Sequence, residues 1–179
     1  SFAADHRELD NIPTHPTVPH NVNETNIASL ADARNFLYLL NPGDYRTKAA
    51  FVSAIQNTNY DIVITDLFYE GPEQLTADDM AALKIKANGG TRLVIAYMSI
   101  GEAEDYRYYW QTAWQAESPG WLAAENPVWA GNYKVRYWDR DWQSIIYGND
   151  DSYLRKILAA GFDGVYLDII DAFEFFENN

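Results

Sequence analysis

Short apolar runs alternate with stretches of helical periodicity from residue 27 onward. The apolar runs are rich in β-branched and aromatic residues and are bounded by Asn, Asp, Gly or Pro, which is typical of buried strands. Because strands and helices follow one another in turn, the pattern favours a parallel sheet with helical crossovers. The predicted strands span residues 35–40, 61–67, 92–98, 134–138 and 164–168, and the predicted helices span residues 47–56, 77–88 and 152–160. Thr76 is the predicted N-cap of the second helix.

The N-terminal part of the sequence lacks this alternation. Residues 12–26 contain three prolines and no apolar periodicity. Proline-rich polar segments of this kind are extended and bury little surface. We therefore expect a flexible N-terminal arm over residues 1–26 and one folded domain over residues 27–179.

The spacing of the predicted strands indicates the size of the complete fold. Their starts are about 32 residues apart on average. Eight such units need about 256 residues, close to the roughly 250 that are typical of a (β/α)8 barrel. The 179 residues of this sequence hold about five units. We therefore predict an α/β fold of the (β/α)8 TIM-barrel type with only its first five βα units present.

The net charge of the sequence excludes some classes of partner. With 13 basic and 26 acidic residues, the formal net charge is −13. Such a surface repels phosphate backbones and anionic lipids, so we expect neither a nucleic-acid nor a membrane partner, whereas cationic ligands are attracted.

The sequence contains few of the side chains that usually act as nucleophiles or metal ligands. There is no cysteine, and the three histidines (His6, His15 and His20) all precede the first predicted strand. Thiol and Ser-His-Asp chemistry in the folded domain is therefore excluded, and a zinc site is disfavoured. No glycine-rich nucleotide-binding motif occurs. An enzyme of this kind works with carboxylates, tyrosines or a bound cation, and our leading prediction includes no cofactor and no metal.

Acidic residues lie at or just beyond the C-terminal ends of four predicted strands. Asp66 lies at the C-terminal end of the second strand, Glu102 and Asp139 follow the third and fourth, and Asp168 ends the fifth, with Asp171 just beyond it. Each residue taken alone is better explained by a turn or a helix cap. Because the carboxyl ends of parallel barrel strands meet on one face, the set as a whole indicates a functional site.

Aromatic residues lie on or just after the same strands. Aromatic rings stack on the C–H faces of sugars, and carboxylates bind sugar hydroxyl or amino groups, so the combination is typical of a carbohydrate cleft. Ordinary core packing explains about half of these residues equally well. We expect Arg107 to pair with Glu102 or Glu104. The predicted substrate-binding residues are Tyr38, Tyr97, Tyr106, Arg107, Trp138, Asp139 and Tyr166.

Two long motifs resemble a known family. Residues 97–107 (YMSIGEAEDYR) and 161–172 (GFDGVYLDIIDA) are similar to glycoside hydrolase family 114, the endo-α-1,4-polygalactosaminidase type, and the similarity extends from about Asn35 to the end of the sequence. The resemblance implies a (β/α)8 barrel that cleaves α-1,4-linked galactosamine-containing polysaccharide. It also implies a secreted or periplasmic protein whose partner is a cationic, amino-sugar polymer.

The resemblance also assigns roles to the acids. It makes Asp168 the nucleophile or a close catalytic partner, with Asp66, Glu102 and Asp171 as supporting acids. The family's second catalytic acid is a Glu after the sixth strand, and this sequence ends before that strand. We therefore expect the chain to be inactive by itself, and to pair with another copy or with a missing C-terminal part.

Two other functions stay open at this stage. One is a non-catalytic carbohydrate-binding barrel that uses the same acids and aromatic residues only to hold a glycan. The other is a metal-dependent barrel enzyme in which Asp66, Glu102 and Asp168 hold Mg²⁺ or Ca²⁺ through oxygen ligands.

Overall fold

The computed structural model describes residues 9–177, which divide into two units. Unit 1 comprises residues 9–97 and 157–166, and unit 2 comprises residues 98–156 and 167–177. The elements in chain order are β1 (Phe36–Tyr38), α1 (Lys48–Gln56), β2 (Ile62–Thr65), β3 (Phe68–Glu70), β4 (Glu73–Gln74), α2 (Ala77–Leu83), β5 (Leu93–Ser99), β6 (Glu102–Glu104), a 3-10 turn (Thr112–Gln115), β7 (Leu122–Glu125), β8 (Asn132–Val135), α3 (Arg140–Gln143), a π-helical turn (Ser144–Gly148), α4 (Tyr153–Ala160), β9 (Gly164–Asp168) and α5 (Phe173–Glu177).

A four-stranded sheet in the order β1-β2-β5-β9 organises unit 1. β1 pairs with β2, and β2 with β5, in parallel. β9 runs in the same direction as β5, since Asp163 N–H donates to the Val94 carbonyl at one end and Ile100 N–H donates to the Asp168 carbonyl at the other. The predicted α/β fold with a parallel sheet is therefore confirmed, with four parallel strands in the described residues.

The two faces of this sheet differ in burial. Leu37, Val63 and Val94 are fully buried. The alternating positions on the other face, such as Ile62 and Leu93, are only half-buried. Because successive strand residues point to opposite faces, one face forms the core of unit 1 and the other stays open.

Helix starts follow from local capping. Thr47 caps α1 by accepting a hydrogen bond from Ala50 N–H. Thr76 and Asp79 form a reciprocal capping box at the start of α2, as the sequence predicts for Thr76. α2 ends at Leu83 rather than at residue 88. The reason is a tight reversal, in which Ile85 bridges Thr91 and the chain turns back into β5.

Buried polar groups close the N-terminal edge of the sheet. The Lys86 Nζ donates to Asp61 Oδ1 at 3.0 Å, and both side chains are fully buried. Asn23 donates its side-chain amide to the same carboxylate, and Asn26 Oδ1 accepts from Thr91 N–H. Asn23 and Asn26 belong to the segment expected to be a flexible arm, of which residues 1–8 lie outside the described residues.

Unit 2 contains an antiparallel sheet in the order β6-β8-β7. Its middle strand, β8, occupies part of the run predicted as the fourth strand of the parallel sheet, and that prediction is wrong. The physical reason is a tertiary pairing, because Lys134 of β8 lies opposite Glu102 of β6 in the antiparallel register and forms an ion pair with it. Within residues 9–177, no helix has the length and apolar character needed to cross a membrane.

Candidate active site

Asp168 is the last residue of β9 and is half-buried. Its backbone carbonyl accepts a hydrogen bond from Ile100 N–H at 3.1 Å. This bond ties the end of β9 to the residue that follows β5, so the two family-like motifs of the sequence meet here. The carboxylate that the sequence singles out is therefore attached to a fixed backbone position.

The residue after Asp168 adopts an unusual conformation. Ile169 has φ of 56°, in the left-handed region, where a β-branched side chain is rarely found. The chain then turns tightly, because Ala172 N–H donates to the Ile169 carbonyl and Glu174 N–H donates to that of Asp171. Strained backbone of this kind clusters at functional sites, where the surrounding structure holds it in place.

Gly101 packs directly against this turn. A Cβ at position 101 would lie 2.2 Å from the Ile169 carbonyl oxygen and 2.5 Å from the Ala172 Cβ. Only glycine therefore lets the backbone after β5 approach the Asp168–Ala172 turn so closely. This close approach gives the glycine of the first motif a physical role that the sequence pattern alone does not show.

Asp139 supports the same region from a helix. Its carboxylate accepts from Asp141 N–H and caps the start of α3. α3 carries the buried Trp142, whose indole N–H donates to the Ile100 carbonyl at 2.9 Å. Asp139 is thus a helix cap and does not end a strand of the parallel sheet, which corrects the placement predicted from the sequence.

Glu102 lies in a buried ion pair. Only 3% of its side chain is exposed, its Oε1 lies 2.5 Å from Lys134 Nζ, and the same oxygen accepts from the Asn126 side-chain amide at 2.8 Å. Both partners compete with any substrate group for this carboxylate. The arrangement suits a residue that holds other groups in position.

Glu104 forms a second buried cluster, with Arg107 and two tyrosines. Arg107 Nε pairs with Glu104 Oε2, which is one of the two partners that the sequence predicts. The Tyr106 hydroxyl donates to Glu104 Oε1 at 2.7 Å, and the Tyr109 hydroxyl accepts from Glu104 N–H. Burial, reinforced by the Glu104 charge, raises the pKa of Tyr109 well above its ordinary value. Tyr106 keeps an exposed ring while its hydroxyl is anchored.

Exposed aromatic rings lie near the C-terminal end of unit 2. Trp138 is half-exposed and makes edge contacts with Tyr137 and Phe176, at centroid distances of 5.0 and 4.8 Å. Its ring is therefore accessible while its neighbours restrict its motion. This is the arrangement that stacking on a sugar requires.

The remaining predicted site residues belong to unit 1. Asp66 follows β2, is mostly buried, and accepts from Phe68 N–H at 2.8 Å. Tyr97 is buried within β5. Tyr38 and Tyr166 contact each other across the open face of the sheet, with ring centroids 5.5 Å apart.

That open face forms a groove of about 760 Å³. Its lining alternates along the strands and is mainly apolar, including Ile62, Ile64 and Ile95 beside the two tyrosines. Such a surface is suited to packing against apolar groups. Among the described residues, no group of three or more His, Asp or Glu side chains is placed to hold a metal ion.

Comparison with known families decides the classification. The sequence model of glycoside hydrolase family GH114 matches residues 21–179. The chain belongs to this family. The resemblance read from the two motifs is thereby confirmed.

Proteins of similar sequence occur in several organisms. An uncharacterised protein of Methanocaldococcus jannaschii is 40% identical over 157 residues, which are 88% of this chain and 42% of that protein. An uncharacterised protein of Thermotoga maritima is 37% identical over 133 residues, 73% of this chain and 39% of that protein. The chain thus spans about two fifths of the length of these relatives.

Solved structures give weaker similarities. Aspergillus fumigatus Ega3, in complex with galactosamine, is 23% identical with a TM-score of 0.47, over 65% of this chain and 39% of that one. The glycoside hydrolase domain of PelA from Pseudomonas aeruginosa is 21% identical with a TM-score of 0.47, over 69% of this chain and 42% of that one.

Three residues of this GH114 chain shape the site although sequence reasoning missed them: Trp142, Lys134 and Asn126. Trp142 had an available signal, since Asp139 followed by Arg-Asp-Trp-Gln is a typical capped helix start. Lys134 and Asn126 act on Glu102 from 32 and 24 residues away in the sequence. No local pattern announces such pairings.

Proposed function

We propose that this chain is part of a glycosidase that cleaves polysaccharide containing α-1,4-linked galactosamine, with Asp168 as a catalytic carboxylate. Membership of GH114 supports the reaction class. The observation that carries the residue assignment is the position of Asp168, at a strand end fixed by the Ile100 hydrogen bond and followed by the strained Ile169.

The proposed chemistry needs two carboxyl groups. One protonates the leaving glycosidic oxygen, and the other attacks the sugar or activates water on its opposite face. Asp168 supplies one of them, and Asp171 is a supporting acid. Glu102 is reassigned within the proposal as a positioning residue, because Lys134 and Asn126 already occupy its carboxylate.

The proposed substrate follows from charge and aromatic surface. A net charge of −13 concentrates a cationic polymer such as partly de-N-acetylated galactosaminan near the protein. The exposed rings of Tyr106 and Trp138 offer surfaces for the C–H faces of its sugars. A polymeric substrate of this kind supports export, to the periplasm or outside the cell.

A polypeptide partner is part of the proposal. The unit 1 sheet has an open apolar face, which is suited to packing against further polypeptide. Among the described strands, β1 and β9 form its two edges, and an edge strand can pair with a further strand. The curated relatives are more than twice as long as their match to this chain. We propose that polypeptide equivalent to their unmatched part covers this face and supplies the second catalytic carboxylate.

The carbohydrate-binding alternative keeps one observation in its favour. Glu102 and Glu104, the two glutamates of the first motif, are both buried in ion pairs, which leaves fewer acids for catalysis. The metal-dependent alternative gains no support from the arrangement of acidic side chains in residues 9–177.

The test is to incubate the chain with α-1,4-linked galactosamine oligosaccharide and measure both binding and release of reducing ends. Turnover supports the glycosidase. Binding that never leads to turnover, even after addition of the unmatched part of the M. jannaschii relative, favours the binding protein. The absence of both binding and turnover contradicts the proposal.

A further inference from the structure

A loop of unit 2 displays two apolar side chains in solvent. We call residues 125–132 the Trp129 loop. Val128 is 78% exposed and Trp129 is 66% exposed. Exposing an indole forfeits the burial free energy of a large side chain, and such residues are enriched where proteins bind ligands.

The loop is held by hydrogen bonds to its own backbone. Asn126 Oδ1 accepts from the N–H groups of Val128 and Trp129, at 3.0 and 3.3 Å. Asn126 N–H donates to the Asn132 carbonyl, and Asn132 N–H donates to the Trp129 carbonyl. Gly131 completes the turn with φ of 84°. Trp129 is therefore presented from an ordered loop, which lowers the entropic cost of binding.

The buried ion pair of unit 2 anchors this loop. The Asn126 side-chain amide that caps the loop also donates to Glu102 Oε1, and Glu102 is in turn paired with Lys134. Hence Glu102 fixes the orientation of the Asn126 side-chain amide, and that amide fixes the backbone of Trp129. Glu102 therefore has a structural role, which is to hold the Trp129 loop, and this role needs no catalytic function of its carboxylate.

Two carboxylates contact the same loop at Gly131. Glu125 Oε1 accepts from Gly131 N–H at 2.8 Å, and Glu125 is exposed. Asp105 N–H donates to the Gly131 carbonyl, and the Asp105 carboxylate packs beside Gly131. An exposed aromatic ring and negative charges on one loop complement a sugar that has a C–H face and an ammonium group.

We propose that the Trp129 loop is a subsite for one galactosamine ring of the polysaccharide. Trp129 stacks on the sugar, Glu125 binds its ammonium group, and Glu102 acts as a positioning residue through Asn126. This inference rests on the proposed function and adds to it a binding residue and a reason for the preference for de-N-acetylated sugar.

The test measures affinity, so it does not depend on turnover. The probes are an α-1,4-linked galactosamine oligosaccharide and its fully N-acetylated counterpart. Their binding is measured by titration calorimetry. W129A is expected to lower affinity about tenfold, since aromatic stacking contributes on this scale, and W129F to retain part of it. V128A is the matched control, because it removes exposed apolar surface from the same loop without an aromatic face, and it should bind as the wild type does.

Two further variants separate the roles of charge and position. E125Q keeps the oxygen that accepts from Gly131 N–H, and it should lose the preference for the galactosamine probe over the N-acetylated one. N126A changes neither Trp129 nor Glu125. It should still lower affinity, because the loop loses the side chain that accepts hydrogen bonds from Val128 and Trp129 N–H. Urea unfolding of each variant verifies that the fold is retained.

The outcomes distinguish this inference from the proposed function. If the wild type binds the probe and W129A binds it equally well, the subsite is refuted while the glycosidase proposal stands. Equal losses in V128A and W129A also refute stacking. If the wild type binds neither oligosaccharide, the proposed function fails, and the subsite fails with it.

Discussion

Replacing Gly101 with alanine tests whether close packing holds the Asp168 turn. The added Cβ would lie 2.2 Å from the Ile169 carbonyl oxygen, 2.5 Å from the Ala172 Cβ and 2.8 Å from the Ile169 Cγ2. An ordinary contact begins near 3.4 Å, so the oxygen must withdraw by about 1.2 Å. Its withdrawal disturbs the same turn that fixes Asp168.

The energetic cost follows from overpacking. Forcing one methyl group into a filled site costs about 1–3 kcal/mol. At an m value near 2 kcal/mol per M, the urea midpoint falls by about 0.5–1.5 M. We expect G101A to show this loss together with weaker activity or binding.

Gly120 provides the matched control. A Cβ at position 120 meets nothing within 4 Å. There the substitution only reduces the freedom of the unfolded chain, which stabilises a protein by about 0.4–1 kcal/mol at a compatible site. Equal urea midpoints for G101A and G120A would refute the reasoning about the Asp168 turn.

Three further predictions concern stability. K86M should cost about 3–5 kcal/mol of unfolding free energy, since it leaves the buried Asp61 charge without its partner. I169G should retain stability or gain up to about 1 kcal/mol, because glycine removes the left-handed strain. Burial, with the Asp151 charge, raises the pKa of Tyr108 to about 12. The neutral form of Tyr108 is therefore favoured in the folded protein, so the free energy of unfolding is unaffected below pH 10 and decreases as the pH rises towards 12. The urea midpoint should fall over that range, and it should fall less in Y108F.

Each of these has a contradicting result. For K86M the comparison is K84M, whose ion pair with Asp163 is partly exposed and contributes at most about 1 kcal/mol. Similar losses in both lysine variants would contradict the role of burial. A loss of more than about 2 kcal/mol in I169G would show that the side-chain contacts outweigh the strain. Identical pH profiles for Y108F and the wild type would remove the tyrosine effect.

Sequence reasoning succeeded where local chemistry decides the structure. β9 has the predicted bounds, Gly164–Asp168, because an apolar run between Gly and Asp has few alternatives. The Thr76 cap is correct because a threonine hydroxyl satisfies a free N–H group at any helix start. Arg107 pairs with Glu104, one of the two predicted partners, because an arginine close in the sequence to two glutamates has a carboxylate within reach.

The same reasoning failed where distant residues decide. Residues 134–138 have the composition of a parallel strand, but Lys134 faces Glu102 in an antiparallel sheet. The prediction that Glu102 is a supporting acid could not take account of that partner. Nor does any pattern show that Gly101 must lack a side chain, because the clash involves a turn that follows about 70 residues later in the sequence.

The central claim, that Asp168 is a catalytic carboxylate, is tested most directly by comparing D168N with the wild type and D171N. Release of reducing ends and affinity for the galactosamine oligosaccharide are measured on the same preparations, each mixed with the unmatched part of the M. jannaschii relative, because the proposed second catalytic carboxylate lies there. The account predicts that turnover falls by about 10²–10⁴-fold in D168N, with unchanged affinity, and falls much less in D171N. Turnover in D168N equal to that of the wild type would contradict it.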